Sequence, residues 1–506
     1  MKALLVYPRY PESFWSFKYA LKFIGVKAAY PPLGLLTVAA MLPPEWEKRL
    51  IDLNVKPLTN ADLQWADYVF ISAMAIQRES VKEIIARCKS LGVKVVAGGP
   101  LFTMEPEEYD EVDHLVLNEA EITLPRFLAD LEAGKAEHLY TTDQHPDLEQ
   151  TPVPLWELIN MRDYASMSIQ YSRGCPYNCE FCDITSLYGR RPRLKNVDQL
   201  VMELDALYKR GWRGSVFIVD DNFIGNKVRL KKEVLPVMIE WMQKHKYPFN
   251  FITEVSINLA DDEELMDMMV NAGFNHVFIG IETPSEESLI ECNKFNNVNR
   301  NLLASVKKIQ NHGMAVSAGF IVGFDSDTPS IFDRQIHFIQ QSGIVTAMVG
   351  LLNAPKGTRL FERLKRENRL LQGFTGNNTD FSLNFIPKMD PNLLLEGYKK
   401  IVTTIYAPTK YYDRILEFFK EFRPKRRINL SMFRLCYLKA LFLAMFYLGI
   451  LEKGRKYYWK LLLKTLLKYP RFLPEAITLA VYGFHFRTIF NKNLSRFDSR
   501  PFPDTP

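Results

Sequence analysis

Three cysteines fall within eight positions of one segment, Arg173-Gly174-Cys175-Pro176-Tyr177-Asn178-Cys179-Glu180-Phe181-Cys182. Thiolates spaced by three and then two residues can wrap onto one small centre. A structural zinc ion usually takes four protein ligands, and no fourth Cys or His lies close by in sequence. An iron–sulfur cluster held by only three thiolates keeps one iron open for a substrate or cofactor, and thiolate is the preferred ligand of such clusters. The other readings of these residues are a zinc knuckle completed from afar and free thiols. The remaining cysteines, Cys88, Cys292 and Cys436, are scattered, so the chain is not a disulfide framework.

The elements around this segment have to place it at the mouth of a fold. Apolar runs at 167–171, 215–219, 249–253, 276–280, 315–322 and 345–352 read as strands. Helical patterns at 197–209, 230–244, 262–272, 285–291, 301–312, 331–342 and 360–367 separate them. Six strand–helix units without a doubling-back signal predict a partial (β/α)6 barrel, whose chemistry sits at the carboxyl ends of its strands. Upstream, strands at 3–7, 68–72, 93–97 and 114–117 alternate with helical patterns at 33–42 and 80–91. That alternation predicts an α/β, doubly wound parallel sheet of Rossmann-like form. The division follows: a first domain over 1–140, a polar linker over 141–160, the barrel over 161–370, and a helical basic region over 371–506.

The charge is uneven. The formal net charge is +6, but residues 401–506 carry 20 Lys/Arg against 7 Asp/Glu, leaving 44 against 51 in the rest. A mildly acidic body therefore carries a strongly basic tail. Arg423-Pro424-Lys425-Arg426-Arg427 opens a stretch in which Leu435, Leu438, Leu441, Phe442 and Phe446 can share a helix face. Lys453, Arg455, Lys456, Lys460, Lys464 and Lys468 then alternate with Tyr457, Tyr458, Trp459 and leucines. Basic residues beside an apolar aromatic face suit an interfacial helix on an anionic membrane; a helical cap over the barrel with solvated lysines is the alternative. Too many aromatics and leucines interrupt the charge for a phosphate-tracking groove, so nucleic acid is not expected. The longest apolar run, 440–451, is shorter than the roughly 18 residues of a spanning helix. Met1-Lys2 leads directly into a first strand, with no secretory h-region. The expected location is the cytoplasm, with peripheral contact to the inner face of the membrane as the interfacial reading of the tail.

Cys-x3-Cys-x2-Cys with an aromatic before the last cysteine resembles the radical S-adenosylmethionine (SAM) superfamily. The resemblance implies a 4Fe–4S cluster on Cys175, Cys179 and Cys182, with SAM on the open iron and Phe181 beside it. It extends to the strand ends: Asp220-Asp221-Asn222 where the family meets the SAM amino group, Glu254 and Ser256 after the third strand, Gly280 and Glu282 after the fourth, and Val322 in the stretch that packs on adenine. The first domain resembles the cobalamin-binding domain fused to many such enzymes, which implies contacts at Ser72, Ala73, Gly98, Gly99, Pro100, Asn118 and Glu119. The Asp-x-His-x-x-Gly string that coordinates cobalt in classical cobalamin domains is missing. Phe14-Trp15-Ser16-Phe17, Pro31-Pro32-Leu33-Gly34-Leu35-Leu36 and the helical extension are similar to the group containing the hopanoid C-2 methylases.

What this resemblance implies is a cobalamin-dependent C-methyltransferase acting on an unactivated carbon of a lipid or isoprenoid-like substrate. SAM would serve twice, as methyl source and as source of a 5′-deoxyadenosyl radical. An external electron donor of flavodoxin or ferredoxin type would feed the cluster. The alternative is a radical SAM enzyme that rearranges, cyclises or oxidises its substrate. The core step needs no general acid or base, so no catalytic His or carboxylate is assigned. Two domains are needed for a geometric reason: the substrate carbon must lie between cobalt and SAM within near-attack distance.

Overall fold

The computed structural model describes residues 1–371, 373–425 and 435–497. In the first sheet, β1 (Lys2–Tyr7), β2 (Glu47–Asp52), β3 (Tyr68–Ser72), β4 (Lys94–Gly98), β5 (His114–Val116) and β6 (Leu139–Tyr140) run in the order β2-β1-β3-β4-β5-β6. Every neighbouring pair is parallel. A parallel sheet is covered on both faces, and its strands therefore read as continuous apolar runs. Alternate residues go to opposite cores: Leu4, Val6, Val69, Ile71, Val95 and Ala97 to one, and Leu5, Phe70 and Val96 to the other. β2 and β6 escape sequence reading because they lie at the edges. β2 opens with the charged triplet Glu47-Lys48-Arg49, and β6 is two residues long. The order reverses between β1 and β3, which puts the crevice of this sheet beyond their carboxyl ends.

Residues 141–166 are packed rather than loose. Trp156 is buried, the Leu155 N–H donates to the Leu36 carbonyl, and the Tyr164 hydroxyl donates to Asp52.

β7 (Met167–Ile169) begins the second sheet. A small antiparallel pair, β8 (Ser172–Arg173) and β9 (Arg193–Leu194), brackets the cysteine loop. The sheet continues through β10 (Gly214–Ile218), β11 (Phe249–Val255), β12 (Phe274–Glu282), β13 (Ala315–Val322) and β14 (Ala347–Leu351). Its order, β14-β13-β12-β11-β10-β7, is sequential and parallel throughout. β7 and β14 do not pair with each other, so the barrel is open.

The open edge at β14 would expose a row of unpaired backbone groups. The helix Pro391–Ile405 and the residue after it cover that edge. The Tyr398 hydroxyl donates to the Val349 carbonyl at 3.0 Å, and the Tyr406 hydroxyl to the Ala347 carbonyl at 2.7 Å. In the next helix, Pro408–Glu421, buried Arg414 donates to the carbonyls of Ile405 and Val345. Helices Leu435–Phe446, Arg455–Lys468 and Leu473–Phe497 follow. The last returns to the start of the chain, where Phe486 stacks on Phe14 with ring centroids 4.0 Å apart. The basic region therefore does cap the barrel. Of its opening motif, Arg426 and Arg427 lie outside the described residues.

Close packing at this edge makes a test. Gly397 faces the ring of Phe332, and a Cβ there would overlap it. Overpacking of this kind costs about 1–3 kcal/mol. Gly397→Ala should lower chemical stability by about that amount, measured by denaturant unfolding, and should loosen the helix over β14. An unchanged midpoint would contradict this packing.

Candidate active site between the two sheets

The cysteine loop begins at a residue that must be glycine. Gly174 has φ +92°, and a Cβ would sit about 3.0 Å from the carbonyl oxygens of Gly189 and Tyr188. Its N–H donates to Asp221 at 2.8 Å. Just before it, Asp220 accepts from the Tyr171 N–H at 2.8 Å and the Ser172 hydroxyl at 2.6 Å. The end of β10 thus ties down the backbone that enters the loop. Asp220 is therefore occupied with this backbone and does not line the cavity described below, whereas Asp221 does. Burial pushes Asp220 up to about 7 and Asp221 up to about 6.

Farther along, the Glu180 N–H donates to the Cys292 carbonyl, and its carboxylate takes two hydrogen bonds from Arg363. Arg363 also reaches Asp325, which Arg369 grips with two nitrogens. A second chain of polar contacts runs from Asn222 to Ser256, on to Asn258, and from Asn258 to the Tyr177 hydroxyl. Both anchor the loop to the barrel rim.

Burial raises all three thiols above the usual cysteine range, and at each of them the Lys294 ammonium opposes that rise. Among the described residues no three Cys, His, Asp or Glu side chains close on a single point, as one zinc ion would require. A cluster asks something different, because each thiolate holds its own iron. Three thiols on one anchored loop, with Lys294 to offset their charge, are a donor set of the chemistry such a cluster takes.

Lys294 pairs with Glu282 at 2.8 Å. Glu282 sits in the left-handed region, φ +63°, where the β12–β13 register shifts. Gly280 leaves room for this pair: a Cβ there would overlap the Glu282 carboxylate and lie 2.8 Å from the lysine nitrogen. Glu254 is raised to about 8, first by burial and then by the neighbouring Asp221 carboxylate. Lys294 thus opposes two buried carboxyls, Glu254 and Glu282, while Arg173 and Arg193 offset Asp221. Val322 is fully buried and does not reach the cavity, although its neighbour Ile321 does.

On the first-domain side the structure brings all seven expected residues together. Ser72, Ala73, Gly98, Gly99, Pro100, Asn118 and Glu119 share one cavity wall. Gly99 (φ +86°) approaches Ser72 so closely that a Cβ would lie 2.5 Å from its hydroxyl oxygen. Asn118, also left-handed, accepts from Thr141 and Thr142. The Glu119 carboxylate is turned toward the barrel, where Arg173 lies at 2.9 Å and Arg193 at 2.8 Å. Glu121 pairs with the same Arg173 at 2.8 Å. Despite burial, Arg173 holds the Glu121 carboxyl below the usual carboxylate range. Arg173 and Glu121 are legible only as members of their motifs, and Arg193 and Lys294 carry no sequence signal. Arg173 stands two residues before Cys175, which is a signal, but its partners lie more than 50 positions away.

The two sheets thus face each other across a cavity of about 970 Å³ at their carboxyl ends. Cys182 and Phe181 reach it from the loop, together with Gly280 and Glu282. Cys175, Cys179, Asn222, Glu254 and Ser256 do not line it. Phe217, Phe278, Phe320 and Met348 form an apolar barrel wall, and Tyr30 from the first domain meets Phe217 at 5.3 Å.

Comparison with known proteins agrees with this geometry. Residues 169–339 match the radical SAM superfamily, residues 23–128 the B12 binding domain, and residues 358–498 a domain of unknown function. An uncharacterized methyltransferase of Synechocystis sp. is 44% identical over 96% of this chain and 91% of its own. The hopanoid C-2 methylase of Rhodopseudomonas palustris is 37% identical over 81% of this chain and 79% of its own. Among solved structures, the cobalamin-dependent SAM radical enzyme OxsB, with aqua-cobalamin and SAM bound, shares the fold. Its TM-score is 0.60, at 14% identity, covering 98% of this chain and 80% of that one. The radical SAM methyltransferase TsrM from Kitasatospora setae has a TM-score of 0.56 at 16% identity, over 74% of this chain and 79% of that one.

Removing one member of a buried ion cluster leaves the others unpaired and costs about 3–5 kcal/mol. Arg173→Met should destabilise the chain by that order in denaturant unfolding. Adding Glu121→Gln to it should recover part of the loss. A single-variant effect below about 1 kcal/mol, the range of exposed pairs, would show that the clamp carries no energy.

Proposed function

The chain belongs to the B12-binding-domain radical SAM methyltransferases, the family of the hopanoid C-2 methylase, and from that membership we propose that it methylates an unactivated carbon of a polycyclic, isoprenoid-like lipid taken from a membrane surface. The enzyme uses a 4Fe–4S cluster, SAM and cobalamin, and needs a one-electron reductant, for which we propose a flavodoxin or ferredoxin. When bound, the cluster and SAM supply hydrogen abstraction and cobalamin carries the methyl group.

The chain's own residues bind, orient and keep water out. Cys175, Cys179 and Cys182 would hold the cluster. The buried carboxyls Glu254 and Glu282 beside Lys294 suit the ammonium and sulfonium that SAM brings. The glycine-lined strand ends of β3 and β4, with Asn118, would receive cobalamin. Among the described residues no histidine lines the cavity, in keeping with the missing Asp-x-His-x-x-Gly string. The Arg173 clamp keeps the two cofactor sides facing across one gap, which is the geometric requirement of the reaction.

The observation that carries the lipid reading is the outer face of the C-terminal helices. Leu438, Phe442 and Phe446, spaced four apart, are exposed, and so are Trp459, Leu463, Leu466 and Leu467 on the helix Arg455–Lys468. Leu467 is 73% exposed. Exposed apolar patches of this kind mark interaction sites. Over residues 422–474 there are 13 Lys/Arg and a single carboxylate, Glu452, and that one is paired with Arg487. A leucine-rich face bordered by cations and nearly free of carboxylates is complementary to anionic lipid. Among the described residues no helix is long and apolar enough to cross a membrane, so the contact we propose is peripheral.

Reconstituted enzyme given SAM with a deuterated methyl group and a hopanoid hydrocarbon in vesicles should yield a product heavier by one labelled methyl. Formation of 5′-deoxyadenosine without label in the lipid would reject methylation of this substrate class. Near an anionic surface each Lys contributes about 1 kcal/mol. Replacing Lys456, Lys460, Lys464 and Lys468 by Gln should weaken binding to phosphatidylglycerol-containing vesicles by on the order of a hundredfold or more, read by flotation. Undiminished flotation would reject the membrane contact.

A further inference from the structure

One exposed tryptophan is held by surroundings that are almost entirely fixed. Trp15 sits in the short turn Phe14–Ser16. The Ser16 hydroxyl donates to the Ser13 carbonyl at 2.7 Å, and the Ser13 N–H donates to the Ser16 hydroxyl. Phe14 is buried against Phe486, and its carbonyl accepts from Nε2 of His485 at 2.9 Å. Burial holds the His485 ring down to about 4, so it is neutral at physiological pH. Phe17, in the left-handed region, stacks over the same ring at 5.5 Å. Every neighbour is pinned, yet Trp15 itself is 40% exposed.

On its inner side the indole meets Phe278 edge-on, with ring centroids 5.4 Å apart. Phe278 belongs to the apolar wall of the cavity. It leans over Gly319, where a Cβ would come within 3.2 Å of its ring, and Met348 lies on the other side of that gap. Outward, the helix Lys18–Ile24 follows the turn directly, and its Phe23 touches Tyr447 at 5.8 Å and Phe484 at 5.9 Å. Tyr447 is itself exposed and adjoins the Phe442–Phe446 stripe. Aromatic rings thus stand on both sides of this helix: Phe23 against the outer helical face, and Trp15 against Phe278 of the cavity wall.

Resting on the lipid-substrate reading above, we propose that Trp15 and Phe278 form the lip of a lateral portal through which a bilayer-resident lipid passes from the docked helical face into the cavity. A polycyclic hydrocarbon that left the bilayer through water would expose its surface at about 25 cal/mol per Å². Passing the lipid directly from the helical face to these rings avoids that cost. A rigid indole edge-on to a phenyl ring presents a flat apolar face suited to a flat substrate. The same placement makes Trp15 a determinant of substrate admission and not of the radical step.

Two measurements on the full-length reconstituted enzyme test this. The first uses vesicles of phosphatidylethanolamine and phosphatidylglycerol whose acyl chains carry bromine, a contact quencher of indole fluorescence. The difference between wild type and Trp15→Phe isolates Trp15 from the other six tryptophans, and that component should be quenched on vesicle binding. The second follows label transfer to a hopanoid hydrocarbon in unbrominated vesicles. Trp15→Ala should raise KM roughly tenfold, well beyond any fall in kcat. Trp15→Phe should restore most of the loss, with iron, cobalamin and flotation at wild-type levels in both. An unquenched Trp15 overturns the portal, and so does an unchanged kcat/KM in Trp15→Ala. If Trp15 is quenched while wild type labels no hopanoid, the substrate reading falls and the portal stands.

Discussion

The arrangement depends on one buried ion cluster. Arg173, in β8 just after the first barrel strand, is taken by two carboxylates that follow β5 of the other sheet, Glu119 and Glu121. Two residues later comes Cys175. The same side chain thus sets the distance between the sheets and the point from which the cysteine loop departs. Charges so deeply desolvated are costly unless paired and hydrogen-bonded. Here Arg193, His145 and Thr151 supply the remaining partners. The cluster favours one docking of the two domains, because sliding either sheet would leave charge buried without a counterpart.

From that docking the rest follows. Parallel sheets gather their irregular, ligand-bearing loops at carboxyl ends. Turning two such ends toward each other encloses the 970 Å³ cavity and aligns the strand ends of the B12-binding domain with the cysteine loop. An open barrel has a free edge, and the C-terminal helices meet it with tyrosine hydroxyls on strand carbonyls. The segment that caps the barrel is also the one with exposed leucines and lysines. Capping and the membrane contact we propose, alternatives on the sequence alone, use opposite faces of one helical layer.

Much of the fold was legible in the residues. Helices 197–209 and 331–342 and the strand 315–322 are found where their apolar periods place them. The edge strands were not legible, since an edge strand needs no apolar run and β2 is half charged. The glycines of the site were visible as turn residues, but their reasons are tertiary. Gly174 is crowded by backbone from residues 188–191, and Gly280 by an ion pair that closes only when the segment carrying Lys294 folds back. Asp220 and Asp221 lie at the strand end where a ligand contact was expected. There Asp220 instead holds backbone of the β7–β8 segment, because burial leaves its carboxyl in need of donors and the nearest are Tyr171 and Ser172.

By itself the sequence determined the kind of chemistry. Three thiols at that spacing, behind a strand and ahead of five more, carry the resemblance to the radical SAM superfamily and the iron–sulfur centre it implies, since ligand identity and local spacing are covalent properties of the chain. Tertiary structure alone decided which charges meet. Arg173 finds Glu119, Lys294 finds Glu282, and Trp15 finds Phe278 across sequence separations that no local pattern encodes. Desolvation makes those pairings selective: a buried charge or ring must satisfy itself with whatever the fold brings near, and only the assembled fold sets what that is.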